Sequence, residues 1–327
     1  MRSGSFLAGL ALVVGCALTS ASSARAQTGV AQEGGLEFVL PNGARTAGMG
    51  LAGVASAIGA DAVWWNPSLI ARGPREAAFQ LTNKVSLADA DAAAVVVYPV
   101  RGVGAVALSA RYVNYGTQEA ASDPNSPTGS FDSYTTMFGA TFAAPFGNRF
   151  SLGFTAKILQ YGFSCSGSCN TVSGLPQTSA LDLGAQYLVT KDSTLSVAAA
   201  VRNVGFNLQV HDAPQSDPLP ARGELGISYS PKLDGLPKEA KLHTAADIVT
   251  RVKDGDSPGY RVGAEFAWMD RYQVRAGYVV NGPTAASGAT FGIGFNTGKL
   301  QVDFAQMLSD IGSQGSRPTF VSLRYLF

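Results

Sequence analysis

Residues able to do chemistry are few in this 327-residue chain, and the sharpest pair is Cys165 and Cys169 in SCSGSC. Two close cysteines in a Ser/Gly segment predict a local disulfide in an oxidising compartment. A C-x3-C metal site is the rival reading. It needs two more ligands, and the only histidines, His211 and His243, stand far away in sequence. No metal and no cofactor is expected. His211, in VHDAP, reads as a solvated loop residue and His243 as a strand residue facing a lumen. No nucleophile, base and acid fall together, so no enzymatic constellation is found. GARTAGMGLAG spaces its glycines like a phosphate loop. It follows no convincing strand and lacks a GK[ST], so a nucleotide site is not expected.

Composition bounds the class. Charged residues make up 14% and hydrophobic ones 46%, with 38 glycines and a mean hydropathy of +0.11. Soluble domains carry about 25% charged residues. A bundle of membrane helices would be far more hydropathic. The formal charge of +1 implies no nucleic-acid partner.

The N-terminus reads as a secretory signal over residues 1–26. Arg2 supplies the charge, Phe6 to Leu18 the apolar core, and Ala24-Arg25-Ala26 the cleavage site before Gln27. Loss of Arg2 and Arg25 would take the formal charge from +1 to −1. A competing lipobox, VVGC, would instead leave Cys16 as a lipidated N-terminus.

From residue 77 to 327 the chain is rhythmic. In GYRVGAEFAWMD, Tyr260, Val262, Ala264, Phe266 and Trp268 share one face; Arg261, Gly263, Glu265 and Ala267 share the other. RYQVRAGYVVN repeats the pattern. Period two over about ten residues predicts a β-strand long enough to cross a bilayer at a tilt. Fourteen such runs are found: 77–85, 90–99, 102–115, 133–145, 150–163, 179–190, 193–203, 222–230, 240–250, 259–269, 271–281, 289–296, 299–308 and 318–327. Short connections (PVRG, PFGNR, VTKDS, MDR, NTGK) alternate with longer ones at 116–132, 164–178, 204–221, 282–288 and 309–317. The proline-bearing 231–239 breaks the pattern on the short side. An even strand number and one-sided long loops predict an all-β, transmembrane antiparallel barrel of the Gram-negative cell outer membrane. A secreted β-sandwich would also alternate. Strand length and loop asymmetry argue against it.

If the apolar face meets lipid, charges belong on the other parity. Lys157, Asp182, Arg202, Glu224, Asp247, Arg261, Glu265, Arg275, Asp303 and Arg324 all fall there. Their mixed signs suggest paired residues in the lumen. The chain ends in FVSLRYLF, where Leu323, Tyr325 and Phe327 alternate outward. This resembles the signal read by the bacterial barrel-assembly machinery.

Residues 27–76 differ. In 41–75 glycine and alanine dominate, and no alternation lasts. LAGVASAIGADAVWW could form a short helix, stopped or redirected by Asn66-Pro67-Ser68. Asn66-Pro67 also reads as a plain turn. So apolar and irregular a segment fits a plug inside the lumen, where irregular backbone is shielded from lipid. Gly48, Gly50, Asn66, Pro67 and Ser68 are its candidate motif.

GARTAGMGLAGVASAIGADAVWWNPSLIA resembles the N-terminal signature of the PorV/PorQ family, within the FadL-like barrels. Ser68 stands where that signature usually has alanine. The resemblance continues in VRNVGFN, DPLPARGELGISY, the GAEF and VRAGY pair, and FGIGFNTGKLQVDFA. It implies a fourteen-stranded outer-membrane barrel with a plug. It also implies a protein-binding accessory of type IX-like export, with exported proteins meeting the long loops. FadL-like barrels imply the alternative, a channel for hydrophobic small molecules such as fatty acids, gated by the plug. An apolar cavity beside the plug would favour transport; a sealed, charge-filled lumen with a docking groove would favour export.

Overall fold

A computed structural model describes residues 33–327 apart from 86–87, 124–125, 168–175, 210–215, 233–234, 236, 254–256, 283–286 and 309–316. The expected signal sequence, Cys16, Cys169 and His211 lie outside the described residues.

Fourteen long strands form a closed barrel in which each is antiparallel to its neighbours. They are β1 (Glu76–Val85), β2 (Ala88–Val100), β3 (Gly104–Asp123), β4 (Ser126–Phe146), β5 (Phe150–Gly167), β6 (Gln177–Leu188), β7 (Leu195–Gly205), β10 (Arg222–Tyr229), β11 (Ala240–Arg251), β12 (Gly259–Trp268), β13 (Tyr272–Val280), β14 (Gly288–Asn296), β15 (Leu300–Met307) and β16 (Thr319–Leu326). β8 (Leu208–Gln209) and β9 (Ser216–Asp217) make a small separate hairpin. β16 pairs with β1 from Glu76–Leu326 to Asn83–Thr319 and closes the wall. Closure leaves no sheet edge for lipid to meet.

Alternation builds the two surfaces. Along β5, Phe150, Leu152, Phe154 and Ile158 are exposed while Ser151, Gly153, Thr155 and Lys157 are buried. The outside carries Leu108, Leu183, Leu225 and Ile293, each more than half exposed, a belt that water would not solvate and lipid does. Near the short turns this belt ends in aromatic rings, including Tyr98, Phe146, Tyr187, Tyr229, Tyr272 and Tyr325.

All fourteen expected runs are strands of the wall. The connections differ. Residues 116–132 are not a loop: β3 and β4 continue pairing to Asp123–Ser126, with register shifts at Asn114/Thr117 and beyond. In the sequence of this stretch Phe131 is the one large apolar residue, so no alternation betrays it. β5 likewise runs to Gly167. In 204–221, Leu208 and Leu219 turn inward and bury against Phe38.

Residues 33–75 occupy the lumen. Glu33 pairs with Arg222 at 2.7 Å, where β10 begins at the loop end. Arg72 donates to the carbonyls of Gly147 and Phe150, in the β4–β5 turn at the opposite end. The segment therefore runs the length of the barrel. It is less helical than expected. One helix spans Ala44–Gly48 and another only Ala62–Trp65, with 3-10 turns at Leu36–Val39, Gly59–Asp61 and Pro67–Arg72. Leu51 (φ 61°) and Gly59 (φ 58°) are left-handed and break the predicted helix.

Candidate functional site: the plugged lumen

The plug is held by glycines on both sides of the contact. The backbone of Gly48, Met49 and Gly50 lies directly on Gly292, Gly263 and Gly277 of β14, β12 and β13. A Cβ at Gly263 would come within 2.6 Å of the Met49 carbonyl carbon. Thr290 fastens the same stretch, accepting from Gly50 N–H at 2.9 Å and donating to the Gly48 carbonyl at 3.0 Å. On the opposite wall, Pro67 and Ser68 lie on Gly153, and Asn66 on Gly184. The sequence showed the plug glycines but not their partners, because a lumen-facing glycine leaves no hydrophobic or charged mark. The inward parity of Gly153, Gly184, Gly263 and Gly277 was the signal available.

Asn66 is fully buried. Its Oδ1 accepts from the Ser68 N–H (3.0 Å) and hydroxyl (2.7 Å), which caps the turn Pro67–Arg72. Its Nδ2 donates to the Val54 carbonyl at 2.9 Å. One side chain thus ties two arms of the plug together beside the wall.

The ten expected lumen charges point inward, and each meets a partner. Lys157 pairs with Asp182 at 2.8 Å and Arg202 with Glu224 at 2.6 Å. Arg261 approaches Glu224 at 4.0 Å. Arg275 bridges Glu265 (2.5 Å) and Asp303 (2.7 Å). Asp247 accepts from the Val54 N–H at 3.0 Å, and Arg324 donates to the Ile58 carbonyl at 3.2 Å. Sequence reasoning missed further ion pairs. Arg45 of the plug forks onto Glu265 with two 3.0 Å bonds. Glu33 meets Arg222, as above. Arg111 pairs with Asp91 and donates to the carbonyls of Glu37 and Leu40. Arg111 shares the parity of Ser109, which could have exposed it.

Between these contacts lies a cavity of about 10 Å³, lined by Phe38, Leu40, Trp64, Trp65 and Met137 together with Asn42, Arg111, Lys157, Asp182 and Arg202. Its aromatic rings meet cations: Lys157 sits 5.0 Å from the Phe38 centroid, and Trp65 lies between Arg202 (5.6 Å) and Arg261 (5.4 Å). The volume matches about one water molecule. Both amide atoms of Asn42 and the Trp64 indole N–H reach no protein partner, so a polar occupant suits it. The wall beside it is irregular. β6 and β7 slip register at Leu181/Leu183, and Asn203 is left-handed (φ 62°) with its N–H on Asp182 at 2.8 Å. A second, larger cavity of about 610 Å³ opens at the turn end, among Arg45, Ile58, Lys241, His243 and Glu265.

His243 Nδ1 lies 2.8 Å from the Ser230 hydroxyl, but its Nε2 has no partner, so no carboxylate orients the ring. No group of three His, Cys, Asp or Glu that could hold a metal occurs among the described residues. Cys165 is disulfide-bonded. Its expected partner lies outside the described residues. Leu323, Tyr325 and Phe327 are exposed, and Tyr325 and Phe327 stack at 6.0 Å.

No family model matches the sequence, and no curated protein matches it. Solved structures do match. The toluene transporter TbuX of Ralstonia pickettii aligns with a TM-score of 0.56 at 14% identity, covering 88% of this chain and 99% of TbuX. The monoaromatic hydrocarbon channel CymD gives 0.58 at 13%, covering 88% and 98%. The toluene transporter TodX of P. putida gives 0.55 at 11%, covering 88% and 99%. The fold, a closed barrel of fourteen antiparallel strands, is therefore the one these structures share.

Proposed function

From that fold we propose that the chain is a non-enzymatic outer-membrane channel for hydrophobic small molecules, with residues 33–75 as its gate. One observation carries the reading: the barrel fold, which aligns over 88% of the chain with two proteins named as toluene transporters and one named as a monoaromatic hydrocarbon channel. Residues 33–75 fill the lumen and leave only a water-sized cavity of about 10 Å³ beside Trp64 and Trp65, so passage requires the plug to shift. The glycine contacts suit such a shift, because backbone laid on backbone has no side-chain knobs to unlock. The neighbours named as hydrocarbon channels support this substrate class.

A second reading, a PorV/PorQ-type accessory of protein export, rests on the sequence resemblance. The tightly filled, charged lumen agrees with it. The comparisons give it no support.

A reversible lock tests the gate. Gly48→Cys with Gly292→Cys places two thiols on directly touching backbones. Cells carrying the oxidised variant should take up radiolabelled toluene no faster than cells without the barrel. Reduction should restore the rate of the unlocked protein. Uptake indifferent to the barrel across a panel of apolar compounds, with secreted proteins co-purifying, would transfer the function to export.

A further inference from the structure

Every one of the six connections at the turn end carries a basic residue: Arg101, Arg149, Lys191, Lys238, Arg271 and Lys299, with Lys232 beside Lys238 and paired to Asp192. At the other end, only two of the seven inter-strand connections carry any, Lys253 and Arg317. Lysines and arginines are therefore sorted to one rim of a chain whose formal charge is only +1. Arg101, Lys191, Lys238, Arg271 and Lys299 are exposed, and no ion pair engages them among the described residues. The aromatic rings that end the apolar belt lie just inside this rim. Arg75 bridges the two layers, its guanidinium 4.9 Å from the Tyr98 ring and 4.6 Å from that of Phe327.

Aromatic side chains settle at the headgroup level of a bilayer. Cations one step beyond them stand at the depth of the lipid phosphates. We propose that the turn-end rim is a binding surface for anionic phospholipid, whose headgroups these side chains hold. The proposal rests on the membrane-spanning reading of the barrel. Attraction of this kind is worth about fivefold in lipid partition for each basic side chain near the surface, and it fades over a Debye length of about 8 Å at physiological salt. It orients the barrel, because the opposite end offers phosphates much less.

Trp268 is a built-in probe. It lies on the outward parity of β12, two residues before the Asp270-Arg271 turn, whereas Trp64 and Trp65 lie in the lumen. The purified full chain is reconstituted in phosphatidylethanolamine vesicles with a minor fraction of phosphatidylglycerol, and only one lipid at a time is brominated. Brominated phosphatidylglycerol should quench Trp268 several-fold more per mole than brominated phosphatidylethanolamine, and 1 M salt should abolish the difference. Arg271→Glu with Lys299→Glu should abolish it too, while Lys253→Glu with Arg317→Glu at the far end leaves it intact. Equal quenching by both lipids at low salt overturns the proposal. Absence of quenching by any brominated lipid instead overturns the membrane-spanning reading beneath it.

Discussion

Asn66 shows how much one buried amide can hold. It closes the turn at Ser68 and reaches across to Val54, so its removal leaves buried backbone groups unpaired. Each such group costs about 1–3 kcal/mol. Asn66→Ala should leave the barrel folded and raise hydrogen exchange in residues 53–70 by tenfold or more, read by mass spectrometry; unchanged exchange would remove Asn66 from the gate. Glu265 is the other pivotal residue, held by Arg45 from the plug and Arg275 from the wall. Glu265→Gln takes away the carboxylate that faces buried Arg45, while Arg275 keeps Asp303, and should lower stability by about 3 kcal/mol, seen as a lower temperature for loss of the compact form in detergent electrophoresis. Asn66-Pro67 was visible in the sequence as a break in the chain. What Asn66 binds was not visible, because Val54 is twelve residues away and carries no pattern. Glu265 shares the parity of Arg261 along β12, whereas its plug partner Arg45 sits in a segment without periodicity.

At the scale of the element, the strands announce themselves and the plug does not. Lipid outside and charge inside impose period two on each spanning run, so all fourteen could be read directly. Where β3 and β4 rise past the belt, Thr117 pairs with Asp132 and Glu119 with Ser130, Phe131 opposite Gln118 has no apolar partner on β3, and the signal vanishes. The plug's conformation is set by what surrounds it. Gly277→Val would drive a side chain into the backbone of Gly50. The plug should then fail to seat, and single-channel conductance in planar bilayers should rise from near closed to frequent large openings. A silent Gly277→Val channel would contradict the role given to the glycine contact. At the other edge of the wall, Phe327 donates its N–H to the Arg75 carbonyl at 3.2 Å and packs on Tyr325. Deleting Phe327 should reduce the amount of barrel reaching the outer membrane several-fold, measured in membrane fractions, while what does assemble keeps the β1–β16 register.

The whole molecule is a wall and a filling that share their last contacts. Ala44 donates to Ser322, and Ile58 accepts from Arg324, both on the final strand. These partners stand 278 and 266 residues apart in the chain. Contacts so distant form late, since the intervening chain must be ordered first. The strand that seals the cylinder is also the strand that latches its contents. A barrel that zipped shut before its first residues were inside would have excluded its own filling. The order of assembly is thus written into the seam: residues 33–75 must already lie against the other strands when the last one locks the door behind them.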